Sequence, residues 1–453
     1  ANATSTRTVN GAGNLTVSSV IQNGPGSGPD GLSMSGTGTL TLSGANLYSG
    51  TTTLSSGTLA TGNNQALGTS TLALNGGTLR ADTAARVVSN LVTLGGNAIV
   101  GGAFALTLSG NTTLTASRTL TINNSADTTL GNVALSNSAT SRTLTITGSG
   151  TTFVTGVISN GGTATASALA KTGANRVILS GGNTYGGATT ISSGTLEIRN
   201  NAALGTTVGT TTVASGASLA LTGNITTAET ISIAGTGAGG SGAIVNVSGN
   251  NSITTTITQT TASTITSTAG TLNIAPAAGN SVAGNFALTI NGTGNVVASR
   301  AVSIGSATLI KAGAGTATLG FSGNNTAGAV SVTGGTLALA GALNATTFSV
   351  ATGATVTTLT GSSVSAATTL SGLHNLGPTP ATTTFSNGLS YTATSQLSWD
   401  LADNSALLPG TNFDQVLVTG GNLSLVNGST LAPVSYTHLR AHETKANLVC
   451  RLL

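Results

Sequence analysis

The sequence predicts an all-β chain wound as a right-handed parallel β-helix, a solenoid, with a distinct β subdomain near its C-terminal end. Three observations carry that prediction. Apolar and small polar residues alternate with a period of two along nearly the whole length. Charged side chains make up 5% of the 453 residues, against roughly 25% in ordinary globular domains. Proline is absent from residues 30 to 275, as continuous inter-strand hydrogen bonding requires.

The strands come in order as Leu40-Thr41-Leu42, Leu106-Thr107-Leu108, Leu120-Thr121-Ile122, Leu144-Thr145-Ile146, Leu219-Ala220-Leu221, Ile231-Ser232-Ile233 and Leu288-Thr289-Ile290. Each run has one apolar and one polar face and is bounded by Gly, Asn or Ser, which suit turns. Thr, Ser, Gly and Asn are poor helix formers, so helices are not expected. Sandwiches would need aromatic cores, and aromatics are 3% here. A solenoid needs only aliphatic ladders inside and hydroxyl ladders outside. It also accounts for the missing charge. At the ~4.8 Å spacing of stacked strands, like charges repel by about 1 kcal/mol in water and about 3.5 kcal/mol at an effective dielectric of 20. With roughly 20 to 25 residues per coil, residues 1–434 would form about 17 to 22 coils.

The 13 Lys and Arg and 9 Asp and Glu leave a net charge of +4. The positives stand singly, at Arg7, Arg80, Arg86, Arg118, Arg142, Lys171, Arg176, Arg199, Arg300 and Lys311, not in a strip that could track phosphates, so nucleic acid is not an expected partner. Hydrophobic residues at 38% exclude a charge-rich disordered tail, and the absence of a three-residue glycine period excludes collagen. The single cysteine, Cys450, can form no internal disulfide. No run approaches the ~20 apolar residues of a membrane-spanning helix. The chain opens on ANATSTR and reads as an internal fragment.

Three segments are alike: SGANLYSGTTTLSSGTL from Ser43 to Leu59, SGGNTYGGATTISSGTL from Ser180 to Leu196, and SGNNTAGAVSVTGGTL from Ser322 to Leu337. Their lead-ins are MSGTGTLTL, KTGANRVIL and KAGAGTATLGF, and the first two are followed by QALGTSTLALNGGTL and AALGTTVGTTTVASGASL. This pattern resembles the autotransporter-associated β-strand repeat, also called the passenger-associated transport repeat. In the third copy Ala327 replaces the tyrosine of Tyr48 and Tyr185, and one residue is missing. The resemblance implies a β-helical passenger region of a bacterial surface or secreted protein, with repeats that aid export and folding and an outer-membrane β-barrel translocator as partner.

The residues expected to build the repeats are Gly44, Asn46, Tyr48, Gly50, Gly57 and Leu59, then Gly181, Asn183, Tyr185, Gly187, Gly194 and Leu196, then Gly323, Gly335 and Leu337. Tyr48 and Tyr185 would be anchors after an Asn turn, Gly50 and Gly187 would permit a bend, and Gly57 and Gly194 would open the next strand. These roles are structural. No catalytic, cofactor or metal-binding residue is expected.

The expected organisation is a stalk over 1–372, with repeats near 34–80, 171–221 and 311–339. A break follows over 373–384 (LHNLGPTPATTT), then a terminal β subdomain or cap over 385–434. ATSQLSWDLADNSALLPGTNFDQVLVTGGNLSL resembles the region that follows such repeats in long secreted bacterial proteins. The tail 435–453, SYTHLRAHETKANLVCRLL, resembles translated sequencing-adapter read-through, which would leave His438, His442 and Cys450 without meaning.

Candidate chemistry gives way to simpler readings. Asp400, Asp403 and Asp414 lack calcium-loop spacing, and are expected on a wet strand face or in turns. GTGAGGSG at 235–242 has neither the Lys-Ser of a phosphate loop nor the Asp of a calcium nonapeptide. Arg80, Asp82 and Arg86 form the densest charged group of the stalk. Glu197 and Arg199 follow, expected as a weak solvated pair. A carbohydrate-active β-helix enzyme is therefore the alternative function. A Thr-ladder surface or ice binder is a second, suggested by Thr51 and Thr53, Thr113 and Thr115, and Thr210 and Thr212. The leading expectation is a non-enzymatic stalk or display and adhesion scaffold, with self-association through exposed strand edges.

Overall fold

The computed structural model describes residues 5–25, 28–377, 379–401 and 413–436. Asp403, His438, His442, Cys450 and all of the expected tail beyond Tyr436 lie outside the described residues. The chain forms two compact units, Ala1–Leu221 and Thr222–Leu453. Each is a β-solenoid of parallel strands, and no α-helix occurs among the described residues.

In the first unit three parallel ladders run side by side. One stacks Gly31–Met34, Thr52–Leu54, Leu72–Leu74, Val92–Leu94, Thr112–Leu114, Val133–Ala134 and Ile158–Ser159. A second runs from Leu15–Val17 through Thr39–Leu42, Thr58–Thr61 and Thr78–Ala81 to Thr210–Val213. A third runs from Arg86–Val88 to Ala217–Thr222. Leu32 pairs with Thr52, twenty positions on, and Val133 with Ile158, twenty-five on, so one coil consumes the expected length.

The period of two becomes an inside and an outside. Leu40, Leu59, Leu79, Val100 and Ile122 stack in register and are buried. On the first ladder the outward file is Ser33, Thr53, Ala73, Thr93, Thr113, Ala134 and Ser159. Burying each aliphatic side chain contributes roughly 1.5–3 kcal/mol, repeated at every rung. Where the chain turns between ladders, an Asn side chain stands in for a strand. Asn97 Oδ1 accepts from Thr119 N–H at 2.8 Å, and Asn132 Oδ1 from Val157 N–H at 2.9 Å.

The second unit has the same construction. One ladder runs from Asn250–Ile253 through Thr271–Ile274 and Thr336–Leu339 to Gln396–Leu401 and Thr430–Tyr436. Residues 373–384, expected to interrupt the stack, instead carry Leu373–Asn375, paired to Thr355–Thr358 and Gln396–Leu401, and the start of Thr382–Phe385, paired to Gln415–Val418. The ladder therefore continues into 385–434. Of the aromatics that suggested a separate terminal subdomain, Phe385 and Tyr391 are buried around His374, itself fully enclosed; Pro378 lies outside the described residues.

Candidate functional site

Each repeat contains an Asn whose amide spans three rungs. Asn183 Oδ1 accepts from Ile158 N–H of the preceding rung at 2.7 Å, while its Nδ2 donates to Ala203 C=O of the following rung at 2.5 Å. Asn46 does the same between Ile21 N–H (2.8 Å) and Ala66 C=O (2.6 Å). All three residues of this kind are buried, the third being Asn325, which joins Val302 N–H (2.9 Å) to Ala342 C=O (3.0 Å). The side-chain amide thus acts as an extra peptide unit in the ladder, satisfying two main-chain groups that burial would otherwise leave unpaired.

Two residues on, Tyr48 and Tyr185 are fully buried, and each phenol shares a 2.6 Å hydrogen bond with the Thr four positions later, Thr52 and Thr189. Burial pushes the Tyr48 hydroxyl up to about 12, against the smaller opposing effect of Thr52. The main chain of each tyrosine is read by the next rung. Thr69 N–H donates to Tyr48 C=O at 3.1 Å, and Thr206 N–H to Tyr185 C=O at 2.9 Å. The turns that bring these donors into place end on Gly68 (φ 61) and Gly205 (φ 89). In the third copy the next rung is a strand, Ala342–Asn344, paired to Asn325–Thr326, and Ala327 takes the place of the tyrosine.

The repeat glycines serve two purposes. Gly57, Gly194 and Gly335 have φ of 71, 68 and 61°, the left-handed region, immediately before or within the next strand; Gly323 lies there too, at 91°. Gly44, Gly50, Gly181 and Gly187 lie outside that region, so backbone freedom is not their reason: a Cβ at any of them would collide with the main chain of the preceding rung. Leu59, Leu196 and Leu337 fill the core ladders with Leu79, Leu219 and Val356.

The passenger-associated-transport-repeat family model matches residues 32–60, 169–198 and 309–339. The chain carries three passenger-associated transport repeats. No curated protein and no solved structure matches it. The repeats and the solenoid fit an autotransporter passenger-like scaffold, a family setting that suggests a surface or secreted location.

The matched segments begin ahead of the motif strings and so include residues that sequence reasoning passed over. Lys171 and Lys311 read as scattered charges, but each sits inside an aliphatic ladder, Lys171 between Ile146 and Ile191, Lys311 between Ile290 and Val332. Exposed by only 1% and 2%, their ammonium groups donate to three main-chain carbonyls: Thr172, Gly173 and Ser193 at 2.9 to 3.0 Å, and Ala312, Gly313 and Gly334 at 2.7 to 3.0 Å. Burial lowers both lysines to about 8. The first repeat has Met34 there, and the equivalent carbonyls of Ser35 and Gly36 accept instead from Ser56 Oγ at 2.6 and 3.1 Å. The signal was present in the lead-ins, where Lys precedes x-Gly in both KTG and KAG.

Glu197 corrects an expectation. It is 1% exposed, not solvated, because its outward row neighbours Ile178 and Ala220 are themselves buried. Arg176 and Arg199 grip its two oxygens, Arg199 Nε at 2.7 Å and Arg176 Nε at 2.8 Å. Burial alone would raise the Glu197 carboxyl, yet the hydrogen bonds and charges of the two guanidinium groups hold it below its ordinary value.

Of the clustered acids, Asp414 is buried and accepts from Ala381 N–H at 2.7 Å, and Asp400 lies in Gln396–Leu401. Among the described residues no group of three or more His, Cys, Asp or Glu could hold a metal ion. The Thr pairs do not share one register. Thr51 and Thr53 are followed along their files by Thr71 and Ala73, Leu91 and Thr93, then Asn111 and Thr113.

Proposed function

We propose that the chain is a segment of a non-enzymatic bacterial passenger, a solenoid scaffold for display or adhesion at the outer surface, with repeats that propagate rung-by-rung folding after export. The observation carrying this reading is the amide of Asn46, Asn183 and Asn325, which joins the rung before to the rung after. A coil that has just crossed a membrane has no next rung to pair with. An Asn already holding the preceding N–H presents a fixed Nδ2 donor to the incoming one, lowering the entropy of adding it. An outer-membrane β-barrel translocator is the partner this route would use, and exposed strand edges offer a route to self-association.

The test is to place the chain between a secretion signal and a translocator barrel and measure protease-resistant passenger on intact cells. Replacing Asn46, Asn183 and Asn325 together by Ala should reduce folded surface material severalfold while leaving synthesis unchanged. Equal display of the triple variant would refute the role given to the repeats. Hydrolysis or lyase activity on polysaccharides by the purified chain would refute the non-enzymatic reading.

A further inference from the structure

The charged group at Asp82–Arg86 lies outside the three matched repeats. Thr83 adopts φ 59°, and among the described residues it shares a positive φ only with Asn224 outside the glycines. Asn tolerates that region, whereas a β-branched Thr is an outlier there, and such outliers concentrate at functional sites. The turn is held by Thr83 Oγ1 donating to Asp82 C=O at 2.7 Å and by the Arg80–Asp82 ion pair at 2.9 Å. Arg80 is therefore neutralised. Arg86 is not: no described carboxylate lies within ion-pair distance, and its Nη1 and Nη2 make only 3.4 Å contacts, to Ala85 C=O and Thr83 Oγ1.

The next rung runs alongside this turn. Arg86 N–H donates to Ala105 C=O at 3.0 Å and Arg86 pairs in register with Leu106, so the main chain at Phe104 follows that of the turn one rung on. Phe104 is 39% exposed, whereas Phe348 and Phe385 are fully buried. Its main chain is fixed by Asn124, itself fully buried, whose Nδ2 donates to Phe104 C=O at 2.9 Å. We propose that this corner, built from Arg86, Phe104 and the Thr83 turn, is a binding site for an acidic saccharide of the uronic-acid class.

The chemistry selects that class. A planar guanidinium with unused donors matches a carboxylate bidentately. An exposed ring offers its face to the C–H side of a pyranose. An extended polyanion such as a nucleic acid is disfavoured, since it would have to run past Asp127, exposed on the rung after Phe104, and the corner offers one cation to it; a short uronate needs only that one. The assignment rests on the display reading for its biological setting alone. Binding is measured on the purified chain, so a chain that binds but is not exported would refute only the earlier reading.

The experiment is calorimetric titration of the full chain with digalacturonate and with its methyl ester. The acid should bind and the ester should not. Arg86→Gln should weaken binding at least about tenfold. Phe104→Ala, whose ring already lies at the surface, should keep its circular dichroism spectrum and also weaken binding. Absence of binding to the acid, equal binding of acid and ester, or unchanged affinity in a folded Phe104→Ala variant would each overturn the proposal.

Discussion

Acidification should unlock the second unit through one side chain. His374 is fully buried in the ladder between Val356 and Leu397, with Nε2 at 3.0 Å from Thr358 Oγ1 and Nδ1 at 2.7 Å from the Tyr391 hydroxyl. Phe385 meets its ring edge-on at 5.7 Å. Burial lowers the imidazole from 6.5 to about 3. In the unfolded chain the ring takes a proton near 6.5, so the unfolded state binds more protons as pH falls, and stability declines from about 6.5 down to about 3. At 1.36 kcal/mol per pK unit the full loss is about 5 kcal/mol, of which about 3 is reached by pH 4.5, before most carboxylates titrate. Since a domain's whole stability is about 5–15 kcal/mol, the effect is decisive. Urea midpoints of the full chain measured from pH 7 to 4.5 should fall in the native protein. They should stay nearly flat in His374→Leu, which continues the aliphatic ladder. Parallel pH slopes for the two proteins, or a His374 ring titrating near 6.5 by NMR, would refute the reasoning.

Other outcomes follow from the repeats. Asn183→Ala should cost about 1–3 kcal/mol in urea denaturation, because Ile158 N–H and Ala203 C=O lose their partner; a change under 0.5 kcal/mol would mean the amide is replaceable. Alkaline pH should act in two opposite windows. Lys171 and Lys311, lowered to about 8, release protons in the fold that the unfolded chain keeps to about 10.5, so stability should rise from about 8 to 10.5 and flatten in the Lys171→Met, Lys311→Met double variant. Tyr48, raised to about 12, keeps its proton after the unfolded chain loses it near 10, so part of that gain should be lost above pH 10 and retained by Tyr48→Phe. Arg176→Ala should destabilise by about 1–2 kcal/mol and raise the Glu197 carboxyl, the cost discounted because the two guanidinium groups are 44% and 38% exposed; unchanged thermal melting would show that Arg199 alone suffices.

The solenoid was legible because its cause is local: a period of two in side-chain polarity fixes which residues face the core, as with Leu40 and Leu59, before any partner is known. Tyr48, Tyr185 and the glycines of the motif were legible as positions because they recur, but their reasons were only partly so. Gly50 and Gly187 read as bends; their cause is the main chain of another rung, about twenty residues away in sequence. Glu197 read as solvated because alternation tells inside from outside but not whether the outside is itself covered, as Ile178 and Ala220 show it is. Asn325 escaped notice once Ala327 had weakened the third copy, although its two hydrogen bonds match those of Asn46 and Asn183.

The scarcity of charge takes a sharper meaning from where individual charges go. Stacked rungs exclude repeated like charges, but they do not exclude a single charge given its own cage. Lys171 and Lys311 use three carbonyls each, Glu197 uses two arginines, and Arg7 pairs with Asp30 at 3.0 Å. Each cage draws on more than one rung, and each holds a buried charge, Lys171, Lys311, Glu197 or Asp30. Charge in these cages therefore acts as a connector along the solenoid, as the Asn amides do. Arg86 has no such cage; it touches the strained Thr83, and the exposed Phe104 lies on the next rung. Arg118 Nε is also without a partner, but Arg118 opens a regular strand, Arg118–Ile122; the conjunction of a loosely held guanidinium with a strained turn and an exposed ring on the next rung, not the lack of a cage alone, is why Arg86 carries the prediction of a ligand.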